Sequence, residues 1–163
     1  MSEQNLVNRR DFVKTAGSAV AATSLLGADA FAQAPAARRR YAIIGTGDRA
    51  TGMWGRQIRE QYSDVVQFVG LCDINPKRVE ISKGMMGVDC PTFTNFDEML
   101  DKTKPDIVMV TTKDSFHSQY IVRALDRGFD VMTEKPMVID EKQCQVVLDA
   151  EKRNKKKIIV TFN

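Results

Sequence analysis

"YAIIGTGDRATG" (residues 41–52) joins a short apolar run to a glycine turn and then to a stretch that reads as a helix. In the turn, Gly45 permits a tight bend, Gly47 lets a pyrophosphate approach the backbone, and Ala50 is small enough for the helix to pack on the strand. The helix that follows offers unpaired N–H groups and the positive end of its dipole to phosphate. Many glycine-rich turns are only turns. This one follows a strand and opens the first βαβ unit, so phosphate binding is the expectation, with Gly45, Thr46, Gly47, Asp48 and Arg49 as its residues.

The same beat continues downstream. A helix is predicted near 49–62, a strand over 65–73 ("VVQFVGLCD"), a helix over 76–86 and a weak strand over 92–95. Asn95 with Glu98 reads as a capping box. "DIVMVTT" (106–112) is the clearest buried strand, followed by a helix from His117 to Arg127 that Gly128 ends in a left-handed conformation. "DVMTE" (130–134) is strand five, Asp140 with Gln143 caps a helix running to Asn154, and "KIIVTF" (157–162) is strand six. Strands apolar on both faces and separated by helices argue for a parallel sheet covered on both sides. Right-handed crossovers then give a doubly wound α/β domain of the Rossmann type. In such a sheet ligands bind beyond the carboxyl ends of the strands.

Strand two ends in Asp73, 28 residues after Gly45, where a carboxylate can accept the ribose hydroxyls of an adenosine. That charge would repel a 2′-phosphate and favours NAD over NADP; Lys77 and Arg78 soften the preference, and a capping role for Asp73 competes with the binding role. Strand four ends in Thr111 and Thr112, small polar residues suited to a nicotinamide half, and leads to His117, the only histidine. A lone histidine sharing a face with Ile121, Ala124 and Leu125 reads first as core. Strand five ends in "TEKP" (133–136), which places an acid, a base and a proline at a strand terminus. Pro136 fixes the backbone there, and the preceding bond is a candidate for the cis form. As a mere surface ion pair beside a turn this element would be worth ~0–1 kcal/mol.

The remaining composition excludes more than it assigns. The 163 residues are 43% hydrophobic and 28% charged, enough for one core. The net charge of +3 is spread out, and "RRR" (38–40) and "KKK" (155–157) read as solvated flanks, so nucleic acid is not an expected partner. Three cysteines at unrelated spacings argue against a disulfide framework or a zinc site. At the N-terminus "NRRDFVKTAG" (8–17) precedes an Ala-rich apolar run (18–32) too short to span a bilayer of ~30 Å. A basic region, an apolar region and a small-x-small ending make an export signal, and the paired arginines resemble the twin-arginine type. The expected organisation is a signal over 1–32 cut after Ala32, a linker over 33–40 and the Rossmann domain over 41–163, with a periplasmic location and no stable membrane anchor.

"GTGDRATG", "LCDINPKRV", "DIVMVTTKDSFHSQYIVRALDRGFDVMTEKP" and "VTFN", in that order, resemble the Gfo/Idh/MocA family of glucose–fructose oxidoreductases and inositol dehydrogenases over residues 40–163. The resemblance implies a nicotinamide cofactor, with Lys135 at the catalytic centre, His117 near the cofactor, and Glu134 orienting the lysine or meeting the nicotinamide ribose. Lys113 stands where family members often have proline. The family follows this fold with a second α/β domain that supplies the substrate pocket; the sequence stops at Asn163, where that domain is expected to begin, so the expectation is a cofactor-binding half. Three functions follow: an oxidoreductase passing hydride between NAD and a sugar or polyol hydroxyl, a glycosidase using NAD transiently, or a non-catalytic nucleotide-binding module. Self-association of copies is left open.

Overall fold

The computed structural model describes residues 37–162, so the expected signal over 1–32 and the first half of the linker lie outside the described residues. Six parallel strands form the sheet: β1 Arg39–Ile44, β2 Val66–Cys72, β3 Thr92–Phe93, β4 Ile107–Val110, β5 Asp130–Thr133 and β6 Ile158–Val160. Their order is β3-β2-β1-β4-β5-β6, so the chain winds outward from β1 to one edge, returns, and winds from β4 to the other. The doubly wound expectation holds, and the switch of direction falls between β1 and β4, where a crevice opens.

Alternation along the central strands divides the apolar residues between two cores. Ile43 and Met109 pack with Ala50, Leu71, Val79 and Met86 under the first two helices: α1, wound as a π-helix over Arg49–Gln57 and continued by Ile58–Tyr62, and α2, Pro76–Met86. Ala42, Ile44, Val108 and Val110 pack on the other face against α3 (Phe96–Thr103), α4 (Asp114–Asp126) and α5 (Glu141–Asn154). Both cores are fully enclosed, with Ala42, Ile43, Leu71, Met99, Val108 and Leu125 all at 0% exposure.

The helix starts are set by local chemistry. Asn75 accepts from the amides of Lys77 and Arg78, with Pro76 at the first helical position. Asn95 and Asp140 accept from the amides of Glu98 and Gln143. In the expected capping box only the Asn95 half is made, because the Glu98 carboxylate pairs with Lys102 at 2.7 Å. Gly128 is left-handed at φ +84°, as expected after α4.

Two boundaries and two local geometries differ from expectation. β1 begins at Arg39, inside the expected linker: the amide of Arg40 donates to Asp106 Oδ2 at 2.8 Å, and this long-range bond draws the arginines into the sheet. α4 starts at Asp114, three residues before His117, because Lys113 is extended and ends the preceding loop. The first helix is π-wound where a regular helix is the reading from the sequence. β2 is not regular either: Tyr41 pairs with Phe68 but Ala42 pairs with Gly70, which leaves Val69 as an extra residue.

Candidate functional site

The crevice beside β1 and β4 encloses about 480 Å³ and is lined by Gly45, Gly47, Asp48 and Arg49 of the turn, by Asp73 after β2, and by Thr111 and Thr112 after β4. Sequence reasoning therefore assembled one continuous wall from three strand ends. The floor is close-packed. Gly45 has φ +91°, and a Cβ there would lie 2.8 Å from the backbone of Thr111 and Thr112. Thr111 Oγ1 donates to Gly45 O at 2.7 Å, tying the two strand ends together. Gly47 is the opposite case: a Cβ on it would meet nothing within 4 Å, so its bare backbone faces open space. A tight turn beneath and an accessible backbone above fit the pyrophosphate of a dinucleotide.

Asp73 is placed as expected but is occupied differently. Its Oδ2 accepts from Thr46 N at 2.8 Å and Thr46 Oγ1 at 3.1 Å, and its Oδ1 accepts from Asn75 N at 2.9 Å and Arg78 Nε at 3.2 Å. A carboxylate offers about four lone-pair sites, and protein donors take them all. Burial by itself would push the Asp73 carboxyl up; the donors from Asn75 and Thr46 and the Arg78 guanidinium outweigh it and hold the group below the ordinary carboxylate range. Asp73 lines the crevice beside Arg78, yet it is not an idle acid: at 5% exposure it also braces the glycine turn. Asp73 is not the cap of α2 either, since Asn75 is. Thr46, 2% exposed, acts through Asp73 instead of lining the crevice. Asp48 and Arg49 stand exposed at the mouth, with no capping bond from the Asp48 side chain to α1.

His117 is fully buried, with Nδ1 2.7 Å from Pro136 O and Nε2 3.0 Å from Thr112 O. Both ring nitrogens are engaged by main-chain carbonyls. The histidine is the core residue that its apolar face suggested, and it staples the loop after β4, which lines the crevice, to the loop after β5.

The "TEKP" element leaves the sheet beside β4, and the Glu134 amide donates to Val110 O at 3.0 Å. The Lys135–Pro136 bond is cis, as the sequence suggested. Lys135 is exposed, and the described residues around it do not bury it. Glu134 is 6% exposed and points away from the role of a ribose ligand: its Oε1 accepts from Trp54 Nε1 at 2.6 Å and its Oε2 from the Lys135 amide at 3.2 Å. Neither residue belongs to the crevice lining, which stops at the β4 side. Trp54 and Arg78 are the residues that sequence reasoning missed or underrated. Arg78 has a signal in its position five residues after Asp73; Trp54, 80 residues before Glu134, has none.

Among the described residues no group of His, Cys, Asp and Glu side chains is arranged to hold a metal ion. Cys72 and Cys90 are buried and burial pushes their thiols up, to about 12 and about 11, so they are poor nucleophiles.

The family described as "Oxidoreductase family, NAD-binding Rossmann fold" matches residues 39–162. The chain belongs to the Gfo/Idh/MocA oxidoreductase family. Within it, YteT of Bacillus subtilis, a protein named as an oxidoreductase, is 38% identical over 129 residues, which is 77% of this chain and 30% of YteT. An inositol 2-dehydrogenase/D-chiro-inositol 3-dehydrogenase of Lactiplantibacillus plantarum is 26% identical over 54% of this chain and 25% of its own. Among solved structures, the WlbA dehydrogenase of Chromobactrium violaceum, in complex with NADH and UDP-GlcNAcA, superposes with a TM-score of 0.68 at 28% identity, covering 76% of this chain and 35% of WlbA. A Gfo/Idh/MocA oxidoreductase of Vibrio cholerae has the same fold, at a TM-score of 0.68 and 24% identity, over 76% of this chain and 38% of its own. The chain spans about a third or less of the curated relatives named here. It carries the NAD-binding Rossmann domain of a Gfo/Idh/MocA oxidoreductase.

Proposed function

We propose that this domain serves an enzyme that passes hydride between NAD and a hydroxyl carbon of a sugar or polyol, with Lys135 as the proton-transfer group. The observation that carries this is the shared rim: β5, hydrogen-bonded to β4, delivers Lys135 next to the strand ends that build the dinucleotide crevice. Inositol and nucleotide-sugar chemistry in the names of its relatives supports the substrate class.

Bound nicotinamide supplies the hydride acceptor or donor. The chain's own residues do the rest. Gly45 and Gly47 shape the turn under the pyrophosphate, Thr111 and Thr112 flank the nicotinamide half, and Arg78 with Asp73 meets the adenosine end. Lys135 Nζ takes the hydroxyl proton as the carbinol becomes a carbonyl, or returns it from the ammonium in reverse; a base so placed is worth ~10²–10⁴-fold. Exposed as Lys135 is here, water exclusion around it falls to substrate and to segments beyond this domain. The cofactor preference is NAD over NADP. Lys135→Met in the full-length protein is expected to abolish NADH formation from polyols while leaving NAD binding intact. Near-normal turnover would reduce "TEKP" to a strand ending.

We also propose export by the twin-arginine route, supported by the paired Arg9 and Arg10 before an apolar run. Burial of Cys72 and Cys90 suits an oxidising compartment. Replacing Arg9 and Arg10 by Lys is expected to retain the protein in the cytoplasm; an unchanged periplasmic fraction refutes this reading.

A further inference from the structure

Trp54 is the only tryptophan of the sequence, and its indole nitrogen donates to a carboxylate 80 residues away that is itself 94% buried by its 6% exposure. An indole N–H donates only, and a carboxylate without added protons accepts only, so the bond has one direction and the strength of a charge-assisted contact. The ring is partly buried and packs against the apolar cluster under α1 and α2 that includes Met109 of β4. The donor is thus fixed by packing, not by chance.

The other carboxylate oxygen receives the amide of Lys135 at 3.2 Å. Glu134 therefore stands between Trp54 and the main chain that carries Lys135. At its N-terminal end, the helix that holds Trp54 begins at Arg49, directly after the glycine turn of the crevice. This is also the segment wound as a π-helix, a rare conformation that recurs at functional sites. One element thus touches the dinucleotide turn at its start and the "TEKP" loop part-way along.

We propose that Trp54 is a positioning residue: through Glu134 it holds the Lys135 backbone in register with the dinucleotide turn, so that cofactor binding and lysine placement are coupled. The inference rests on the reading of Lys135 given above. It also gives Glu134 a task within the chain that leaves the nicotinamide ribose to other groups.

Coupling is read from the reactivity of the lysine, without a substrate. The full-length protein is acetylated with acetic anhydride, with and without NAD at about ten times the Kd measured for each variant, and each lysine is followed by peptide mass spectrometry. In the wild type, NAD is expected to slow labelling of Lys135 by about fivefold or more, with Lys102 and Lys152 as unaffected internal references. Trp54→Phe keeps a ring against the core but removes the donor, and is expected to lose most of that protection. Glu134→Gln keeps the ring and removes the charge, and is expected to do the same; it decides the matter if Trp54→Phe fails to fold. Protection equal to wild type in the folded variants overturns the proposal. Absence of protection in the wild type overturns the reading of Lys135 itself.

Discussion

Gly45 and Gly47 stand two residues apart and serve opposite needs. At Gly45 the backbone is left-handed and a side chain would strike Thr111 and Thr112 at 2.8 Å. Gly45→Ala is expected to cost ~1–3 kcal/mol in urea unfolding and to weaken NAD binding with it. Gly47 has no neighbour within 4 Å of its missing Cβ, so Gly47→Ala is expected to unfold at the wild-type urea midpoint while losing NAD affinity by titration calorimetry. The sequence motif names both glycines and cannot separate them; only the neighbouring strand end does. Asp73 was legible as a strand-end acid, but its saturation by Thr46, Asn75 and Arg78 depends on how the turn after β1 meets the segment after β2. Its carboxyl is held below the ordinary range, so it stabilises the fold above the unfolded value of about 3.9 and loses that contribution as pH falls through the folded value. Asp73→Asn is expected to be less stable than wild type at neutral pH and to show a flatter acid limb in unfolding free energy against pH. A parallel acid limb would mean that another carboxylate sets it.

At the scale of elements, the order of strands and helices was readable because apolar runs, caps and turn residues agree with one another. Asn95 and Asp140 each do what their spacing suggests. Irregularities were not readable. "VVQFVGLCD" looks like one even strand, yet Val69 and Gly70 break its alternation, so that Phe68 and Leu71 reach the same core from three positions apart. An isolated glycine inside a strand was the available signal. It is needed because Thr103 Cγ2 and Met99 Cγ of α3 would lie 2.9 and 3.1 Å from a Cβ at residue 70. Gly70→Ala is expected to lose ~1–3 kcal/mol by overpacking, and Thr103→Ser in the same chain to restore part of it, both measured by thermal unfolding. An equal loss in the double variant would place the strain elsewhere. The π winding of α1 likewise leaves no mark in the apolar pattern; two glycines, Gly52 and Gly55, are its nearest hint.

Across the whole molecule, the sheet order divides the strands into two runs, β1 to β3 and β4 to β6, whose only strand pairing with each other is β1 with β4. Each run closes with neighbours in sequence. Their junction joins residues more than 60 positions apart, Tyr41 with Ile107 through Ile44 with Val110. The crevice floor, where Gly45 abuts Thr111, exists only once that junction has closed. Because the cofactor binds the folded chain and not the unfolded one, NAD at 100 times its Kd should add about 2.7 kcal/mol to stability, with a smaller shift from NADP at equal concentration. How that gain divides between rates is a separate matter, and it follows from the junction. Pairing of such distant segments carries the largest loop-closure cost, so it belongs late on the route to the native state. A ligand whose site is assembled last has nothing to hold at the barrier. In a stopped-flow chevron, NAD should therefore lower the unfolding limb and leave the refolding limb where it was; acceleration of refolding would put the seam early.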